Sequence, residues 1–534
     1  MASSSSIPAE FSHMTELSLD ATGSFVLHAT DDYFAPKEAL LRPHAPEWHE
    51  GEYTERGKWM DGWESARRRT PGHDWVIVRL GTPGTIEGVV CDTTNFKGNA
   101  PQEVSLEALD APLATPIEDL LAIPVDTAST VAADGRAWRE VIPRTPVKPD
   151  FPNVLFPAAE LERATHVRLR IHPDGGVARL RIFGQVKPDP DLFWGPGSVD
   201  LAAIENGGAI ALASDSFFGP PSNLLLPGRS TNMGGGWETR RRRTPGSDWC
   251  VIRLGRRGLV HHLDLDTHFF KGNAPQAVLV EYTDAEGLED DALAARLAEA
   301  ATWKPLVERT AVSQHRRHRL VPMRAVNATH LRVHIFPHGG VNRLRAFGDA
   351  ADTPGEARAL VALNGLAANA RGDVLKSFCP SRAFVERLSS SLPAGSVRAL
   401  IAAAGAAMAS LTPADLLEAY AAHPRLGSAP PKGETSAHAN WSRSEQSALS
   451  AGAAAQLERL RAGNDAYFAK FGFPFIAFAS GRGAGELADL LEERLAGGRD
   501  AEIERASLEL ARITRLRIGR WLADVAKKGA GGGS

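Results

Sequence analysis

A chain that repeats itself over more than half its length has little choice but to fold as two copies of one domain. Here GWESARRRTPGHDWVIVRLG at 62–81 returns as GWETRRRRTPGSDWCVIRLG at 236–255, an offset of 174, and FKGNAPQ at 96–102 returns unchanged at 270–276. The pairing resumes as PDGGVARLRIFG (173–184) and PHGGVNRLRAFG (337–348) at an offset of 164, so the second copy is ten residues shorter in between. The loss is expected in surface loops, and a period this long means tandem domains rather than a solenoid.

Inside each copy apolar and polar residues alternate. Val167, Leu169 and Ile171 are interleaved with His166, Arg168 and Arg170, and Leu331, Val333 and Ile335 follow the same rhythm. A period of two marks half-buried strands, and the frequent Gly, Pro, Asn and Asp between short runs point to an all-β sandwich of the jelly-roll, galactose-binding-like kind. After Gly348 the pattern changes. Thr412, Pro413 and Asp415 form a helix start, Ser442 and Glu445 fit an S-x-x-E capping box, and a last helix is expected from about Asp500 to Val525. The expected organisation is a flexible N-terminus (1–20), two β repeats (21–190 and 191–350), a linker (351–358), an all-α domain (359–526) and a flexible tail (527–534).

Composition excludes several classes of function. Sixty Lys plus Arg against 64 Asp plus Glu leave a net charge of −4, with no basic track interleaved with aromatics, so no nucleic-acid partner is expected. Cys91, Cys250 and Cys379 lie far apart without CxxC spacing, which fits a reduced cytoplasm better than a disulfide framework. The N-terminus has no apolar core of a leader, and the Ala-rich run at 400–411 is too short for a bilayer, so no membrane partner is expected.

The helical part carries the strings with chemistry. HPRLG at 423–427, SRSEQ at 442–446 and FGFPFI at 471–476 set a histidine, a glutamate and an aromatic-proline loop within about fifty residues of one another. At 100° per residue Ile503, Leu510, Ile513, Arg517 and Trp521 share one stripe of the last helix, which makes Arg517 a cation on an apolar face. Either its stem snorkels or its head holds a buried anion. His423 precedes a proline and is expected in an exposed turn, where a histidine is ordinarily just solvated. Glu445 has an equally plain explanation in the capping box.

Taken together, ALNGL, SFCPSRAF (377–384), HPRLG, WSRSEQ, NDAYFAKFGFPFI (464–476) and ITRLRIG (513–519) resemble the OHCU decarboxylase family, which acts on 2-oxo-4-hydroxy-4-carboxy-5-ureidoimidazoline in urate breakdown. The resemblance implies His423 as the catalytic acid-base with Glu445 beside it and Arg517 as an anion clamp. It also implies Pro424, Ser442, Gln446 and the backbone of Ala477, Phe478 and Ala479 as substrate contacts. CPSRAF departs from the family's Cys-Gly-Ser-x-x-Trp, with Pro380 and Phe384 in place of Gly and Trp. Electrons left by departing CO2 beside a C=N bond can delocalise into the ring, so no cofactor is expected for this part, and the product implied is S-allantoin.

WMDGWESARRR, DTTNFKGNAPQ and HPDGGVARLRIFG, each with its echo, resemble allantoicase, which hydrolyses allantoate to ureidoglycolate and urea. Such a substrate is a carboxylate with two ureido arms. Arg67, Arg69, Arg241 and Arg243, with Lys97 and Lys271, are the candidate binders. Glu64, Asp92 and His73 in the first copy, with Glu238, Asp266 and His268 in the second, are the candidates to move protons. The copies have diverged: Glu64-Ser65-Ala66-Arg67 stands where Glu-Thr-Arg-Arg is usual, and Gly235-Gly236-Trp237 where Asp-Gly-Trp is usual. A divalent metal is left undecided, since Asp and His are present but no HxH or HExxH spacing is. The expectation is a bifunctional enzyme of small ureides in purine catabolism, as a homo-oligomer. The alternative is a decarboxylase carrying a non-catalytic, ligand-binding sandwich pair.

Overall fold

The computed structural model describes residues 8–11, 14–126, 136–425, 454–480 and 482–530. By contact the chain divides into two compact units, one of residues 1–110, 139–192 and 197–351, the other of 111–138, 193–196 and 352–534.

The first unit holds both repeats. The strands of repeat one are β1 (Thr15–Glu16), β2 (Phe25–Ala29), β3 (Tyr53–Thr54), β4 (Gly57–Lys58), β5 (Trp63–Glu64), β6 (Asp74–Asp92), β7 (Glu103–Leu109), β8 (Arg139–Pro146), β9 (Pro152–Leu155), β10 (Ala164–His172), β11 (Gly176–Val177) and β12 (Arg179–Val186). Their order is β1-β12-β6-β10-β7-β8, all antiparallel, with β2 and β9 also on β6. The long β6 makes the sandwich: its first half pairs with β10 and β2, its second with β12 and β9, and the register breaks between Arg79 and Gly84. Gly84 sits at that crossing because a Cβ there would stand 2.2 Å from the Gln185 carbonyl oxygen.

Repeat two reproduces this with β13 (Val199–Asp200), β14 (Ala209–Ala213), β15 (Trp237–Glu238), β16 (Asp248–Asp266), β17 (Ala277–Thr283), β18 (Lys304–Ala311), β19 (Arg317–Leu320), β20 (Asn327–Phe336), β21 (Gly340–Val341) and β22 (Arg343–Ala350). Missing from this set is a counterpart of the β3–β4 hairpin. Each repeat has its own core, built around Trp63, Leu106 and Leu169 in one and Trp237, Val280 and Leu331 in the other. The alternation expected along β10 and β20 is present: Val167, Leu169 and Ile171, like Leu331, Val333 and Ile335, are buried.

Nine of the ten residues that repeat two lacks between its FKGNAPQ and GGV strings go between β7 and β8. The offset between matching strands falls from 174 at Glu103 and Ala277 to 165 at Arg139 and Lys304. In repeat one that connection is 110–138, most of which belongs by contact to the second unit. There Leu120 and Trp138 are fully buried, and the Trp138 indole donates to the Leu120 carbonyl (3.0 Å). The expectation of a plain surface loop is corrected.

Boundaries shift for local reasons. Within the N-terminal segment the described residues are held in place: Phe11 is fully buried against Phe183 (ring centroids 5.0 Å apart) and β1 pairs with β12. The linker read at 351–358 is already helical from Pro354. Thr353 and Glu356 close a capping box on the helix Pro354–Gly365, and the Glu356 carboxylate also accepts from the Trp194 indole (3.1 Å). At the other end the helix Arg499–Ala530 continues through the first residues assigned to the tail. The helix start expected at Thr412, Pro413 and Asp415 opens the helix Pro413–Ala421, and there Thr412 and Asp415 close a capping box. The helix start read at Ser442 and Glu445 lies outside the described residues. No single helix among the described residues is long and apolar enough to cross a membrane.

Candidate functional site

Repeat one contains a cavity of about 700 Å³ whose walls come from four loops, and Glu64 stands in it. The strand β5 explains the placement. Trp63 is fully buried in the core with its indole donating to the Asp31 carbonyl (2.8 Å), so the next residue, Glu64, faces the opposite way. Backbone bonds fix it, from Glu64 N to the Ala35 carbonyl (3.1 Å) and from Ala35 N to the Glu64 carbonyl (3.3 Å), with β11 on the other side. Phe96, packed where a Cβ on Gly176 would collide, begins the FKGNAP loop and sets Asn99 over the acid. The Asn99 amide donates to Glu64 Oε1 at 2.8 Å.

Glu64 is 8 % exposed. Burial raises its pKa above the ordinary glutamate value, against the Asn99 hydrogen bond and the Arg67 charge, which lower it. Around this acid the cavity is lined by Lys58, Arg67 and Lys97, with Trp48, Phe34 and Met60 as apolar wall. A carboxyl group whose protonated form is favoured by burial can donate to a departing nitrogen while the three neighbouring cations grip a carboxylate. Asp174 also lines the cavity, but its carboxylate accepts from the Arg68 amide (2.8 Å) and is part of the framework.

Other candidates in the repeats fall elsewhere. Arg69 is exposed outside the cavity, and so are Arg241, Arg243 and Lys271 in repeat two. Asp92 is buried with its carboxylate on the Thr94 amide (2.9 Å), as Asp266 is on the His268 amide (2.8 Å), so both close turns at strand ends and neither joins the cavity. His73 faces His172, ring centroids 4.9 Å apart, and its pKa is lowered by burial and by Arg170. His268 stacks on His315 (4.0 Å). Glu238 keeps the local geometry of Glu64, with the Asn273 amide 2.6 Å from Oε1. Among the described residues no group of three or more His, Cys, Asp or Glu is arranged to hold a metal ion.

In the helical unit His423 corrects the expectation of a solvated turn. The helix Pro413–Ala421 ends in a tight turn, His423 N bonding the Tyr420 carbonyl (2.9 Å), and the ring is buried with Nδ1 at 2.9 Å from the Ala419 carbonyl. A carbonyl oxygen can only accept, so Nδ1 carries a proton, and Nε2 is the nitrogen at which the ring can exchange one. Arg517 is fully buried, which removes the snorkelling alternative; it acts electrostatically on the Cys379 thiol, which burial pushes up to about 12. Pro424 is half-buried beside His423, while Ser442, Glu445 and Gln446 lie outside the described residues. The segment Ala477–Ala479 is held from behind: Arg494 donates to the Ile476 carbonyl (2.9 Å), and the Phe478 amide donates to Glu509 Oε2 (2.6 Å). The Phe478 amide is thus engaged by a carboxylate here.

Sequence reasoning passed over Trp48 and Lys58 as site residues and set Asn99 aside as turn chemistry. The unchanged FKGNAPQ of both copies was the available signal for Asn99. Arg494 and Glu502, a buried ion pair in which the Arg494 Nε stands 2.6 Å from Glu502 Oε1, gave none, because they belong to different helices.

Two antiparallel sandwiches, one with a charged cavity around a buried acid, joined to a helical unit with a buried imidazole and guanidinium, define a bifunctional enzyme of small anionic substrates. Comparison with known proteins identifies its kind. The allantoicase repeat model matches residues 15–187 and 199–351, and the OHCU decarboxylase model matches 364–519. The allantoicase of Dictyostelium discoideum is 39% identical over 342 residues, 63% of this chain and 88% of that protein, and a probable allantoicase of Burkholderia mallei is 40% identical over 332 residues, 61% of this chain and 91% of that one. The crystal structure of allantoicase from Saccharomyces cerevisiae is 32% identical, with a TM-score of 0.50, and covers 63% of this chain and 93% of its own. A solved OHCU decarboxylase, crystallised with (S)-allantoin, is 35% identical and covers 28% of this chain and 98% of its own, with a TM-score of 0.25. The chain belongs to the allantoicase family, with a C-terminal OHCU decarboxylase domain. It is an enzyme of purine catabolism with both activities, allantoate hydrolysis and cofactor-free OHCU decarboxylation, and the binding-only reading of the sandwiches is not favoured.

Proposed function

We propose that allantoate is hydrolysed in the cavity around Glu64, and that OHCU loses CO2 over His423 with Glu445 beside it and Arg517 as the anion clamp. The observation that carries the first assignment is the buried Glu64, held toward its protonated form by desolvation and aimed by Asn99 into a cavity lined by Lys58, Arg67 and Lys97. Breaking the C–N bond requires a proton on the departing urea nitrogen, and a carboxyl whose pKa is raised toward the working pH supplies it. The cations balance the substrate carboxylate. For the second assignment the tautomer of His423 is the support: with Nδ1–H on the Ala419 carbonyl, Nε2 can take a hydroxyl or ring proton and return it to one face of the ring. A homo-oligomer in the cytoplasm belongs to the same reading.

The test is separation of the two activities in one chain. His423→Asn should lower stereospecific allantoin formation by about 10²–10⁴ while urea release from allantoate is unchanged. Unchanged decarboxylation would overturn the role of His423.

A further inference from the structure

The two repeats share the acid and its amide partner but not the wall in front of them. Between the short helix Lys37–Leu41 and β5 the chain takes residues 42–62; between the matching helix Pro221–Leu225 and β15 it takes only 226–236. The longer connection of repeat one, by ten residues, carries the β3–β4 hairpin and Trp48. The Lys58 ammonium lies 4.1 Å from the Trp48 ring centre, and both residues line the cavity with Phe34.

In repeat two nothing of that hairpin exists, and the matching surface is open. Phe218, the counterpart of Phe34, is 61% exposed, and Met233 is 43% exposed. Glu238 is correspondingly less buried than Glu64.

The anchor of the insertion explains the divergence of Asp-Gly-Trp to Gly-Gly-Trp. Asp61 binds the Arg42 guanidinium (2.6 Å), the Glu47 amide (2.9 Å) and the Arg179 guanidinium (2.5 Å), while Arg179 also donates to the His44 carbonyl (3.0 Å). Three of these partners, Arg42, Glu47 and His44, lie in the longer connection 42–62, Arg42 and His44 at places that repeat two fills with Leu226 and Gly228. Gly235 takes the place of Asp61, and Arg343, the counterpart of Arg179, bonds only backbone carbonyls of Gly228, Gly235 and Asn342. Where there is no insertion to pin, no acid is present to pin it.

We propose that allantoate is hydrolysed in repeat one alone, that the longer connection 42–62, pinned by Asp61, is the wall that makes the site, and that Lys58 on it binds the substrate carboxylate. The proposal rests on the reading of Glu64 as proton donor. In that step the C–N bond breaks with its electron pair passing to the departing nitrogen, which takes the Glu64 proton. A water oxygen bonds the carbon, and its proton returns to the Glu64 carboxylate, so one water is consumed and the acid regenerated. The pair Glu238–Asn273 keeps the geometry of a duplicated framework, with Arg241 and Lys271 at the places of Arg67 and Lys97, but without the wall that excludes water or a counterpart of Lys58 to fix the substrate.

Urea release from allantoate by the full chain tests this. Glu64→Gln is expected to lower kcat by about 10²-fold or more, and Glu238→Gln to leave kcat and KM within about twofold. Lys58→Ala, a surface change that folding tolerates, should raise KM about tenfold with a smaller change in kcat, and Lys58→Arg should restore most of it. An equal loss in both glutamine variants, or a loss in Glu238→Gln alone, overturns the assignment to repeat one. Full activity in both overturns the Glu64 reading and the proposal together. A KM unmoved by Lys58→Ala while Glu64→Gln is dead overturns the role of the wall and spares the acid.

Discussion

Arg179 and Arg343 occupy one position in two copies of one fold, and they hold their charge in different ways. Both donate Nη1 to the carbonyl of the preceding residue and to the carbonyl of residue 61 or its counterpart 235. Only Arg179 meets a carboxylate, that of Asp61. Burial lowers the pKa of both, that of Arg343 to about 10, and for Arg179 the Asp61 hydrogen bond and charge oppose the fall. The shared task of the arginine is therefore to tie carbonyls of neighbouring loops together. The acid is an addition for the insertion. The helical unit gives a third arrangement, in which Arg494 pairs with Glu502, bonds the Ile476 carbonyl, and shares its carboxylate with the Tyr467 hydroxyl.

If that ordering is right, the cost of deleting each acid should follow how much buried polarity it leaves behind. Glu502→Ala is expected to be the most damaging, at about 3–5 kcal/mol, because a buried guanidinium and a buried phenol lose their partner at once. Chemical denaturation followed by the decarboxylase activity checks it, and a loss below about 1 kcal/mol would break the comparison. Asp61→Ala should cost less, about 1–3 kcal/mol, since Arg343 shows that carbonyls alone can serve this guanidinium. Its larger signature should be functional, with KM for allantoate raised as the insertion loosens while decarboxylation stays intact.

How much of this could be read from the sequence depended on whether the signal was local. The duplication, the alternation along β10 and the helix start at Thr412 are properties of neighbouring residues, and the fold bears them out. Burial of His423 was missed because a proline after it argues for exposure, while the turn that buries it is set by contacts made after the helix ends. Asp92 lies away from the cavity lining, and the reason runs the opposite way. An acid beside a repeated loop looks like chemistry, and here its carboxylate closes a turn. The wall of the cavity was invisible because attention to what the copies share passes over what one copy has alone.

The smallest effect expected is on acid stability, and it separates the repeats by being present in one and absent from the other. Burial would raise the pKa of Asp61, but Arg179, the Glu47 amide and Arg42 outweigh it and hold the carboxyl below the usual aspartate value of 3.8. A depressed folded pKa means that the carboxylate contributes stability in full above the unfolded value, and that this contribution is lost as pH falls from there through the folded pKa. Repeat two, with Gly235 at that position, has no such term. Stability measured by denaturant between pH 6 and pH 3 should fall more steeply for the wild-type chain than for Asp61→Asn, the difference confined to the region at and below about pH 4. Parallel curves would mean that Asp61 holds the insertion by geometry, as a hydrogen-bond acceptor that the amide oxygen replaces, and not by charge.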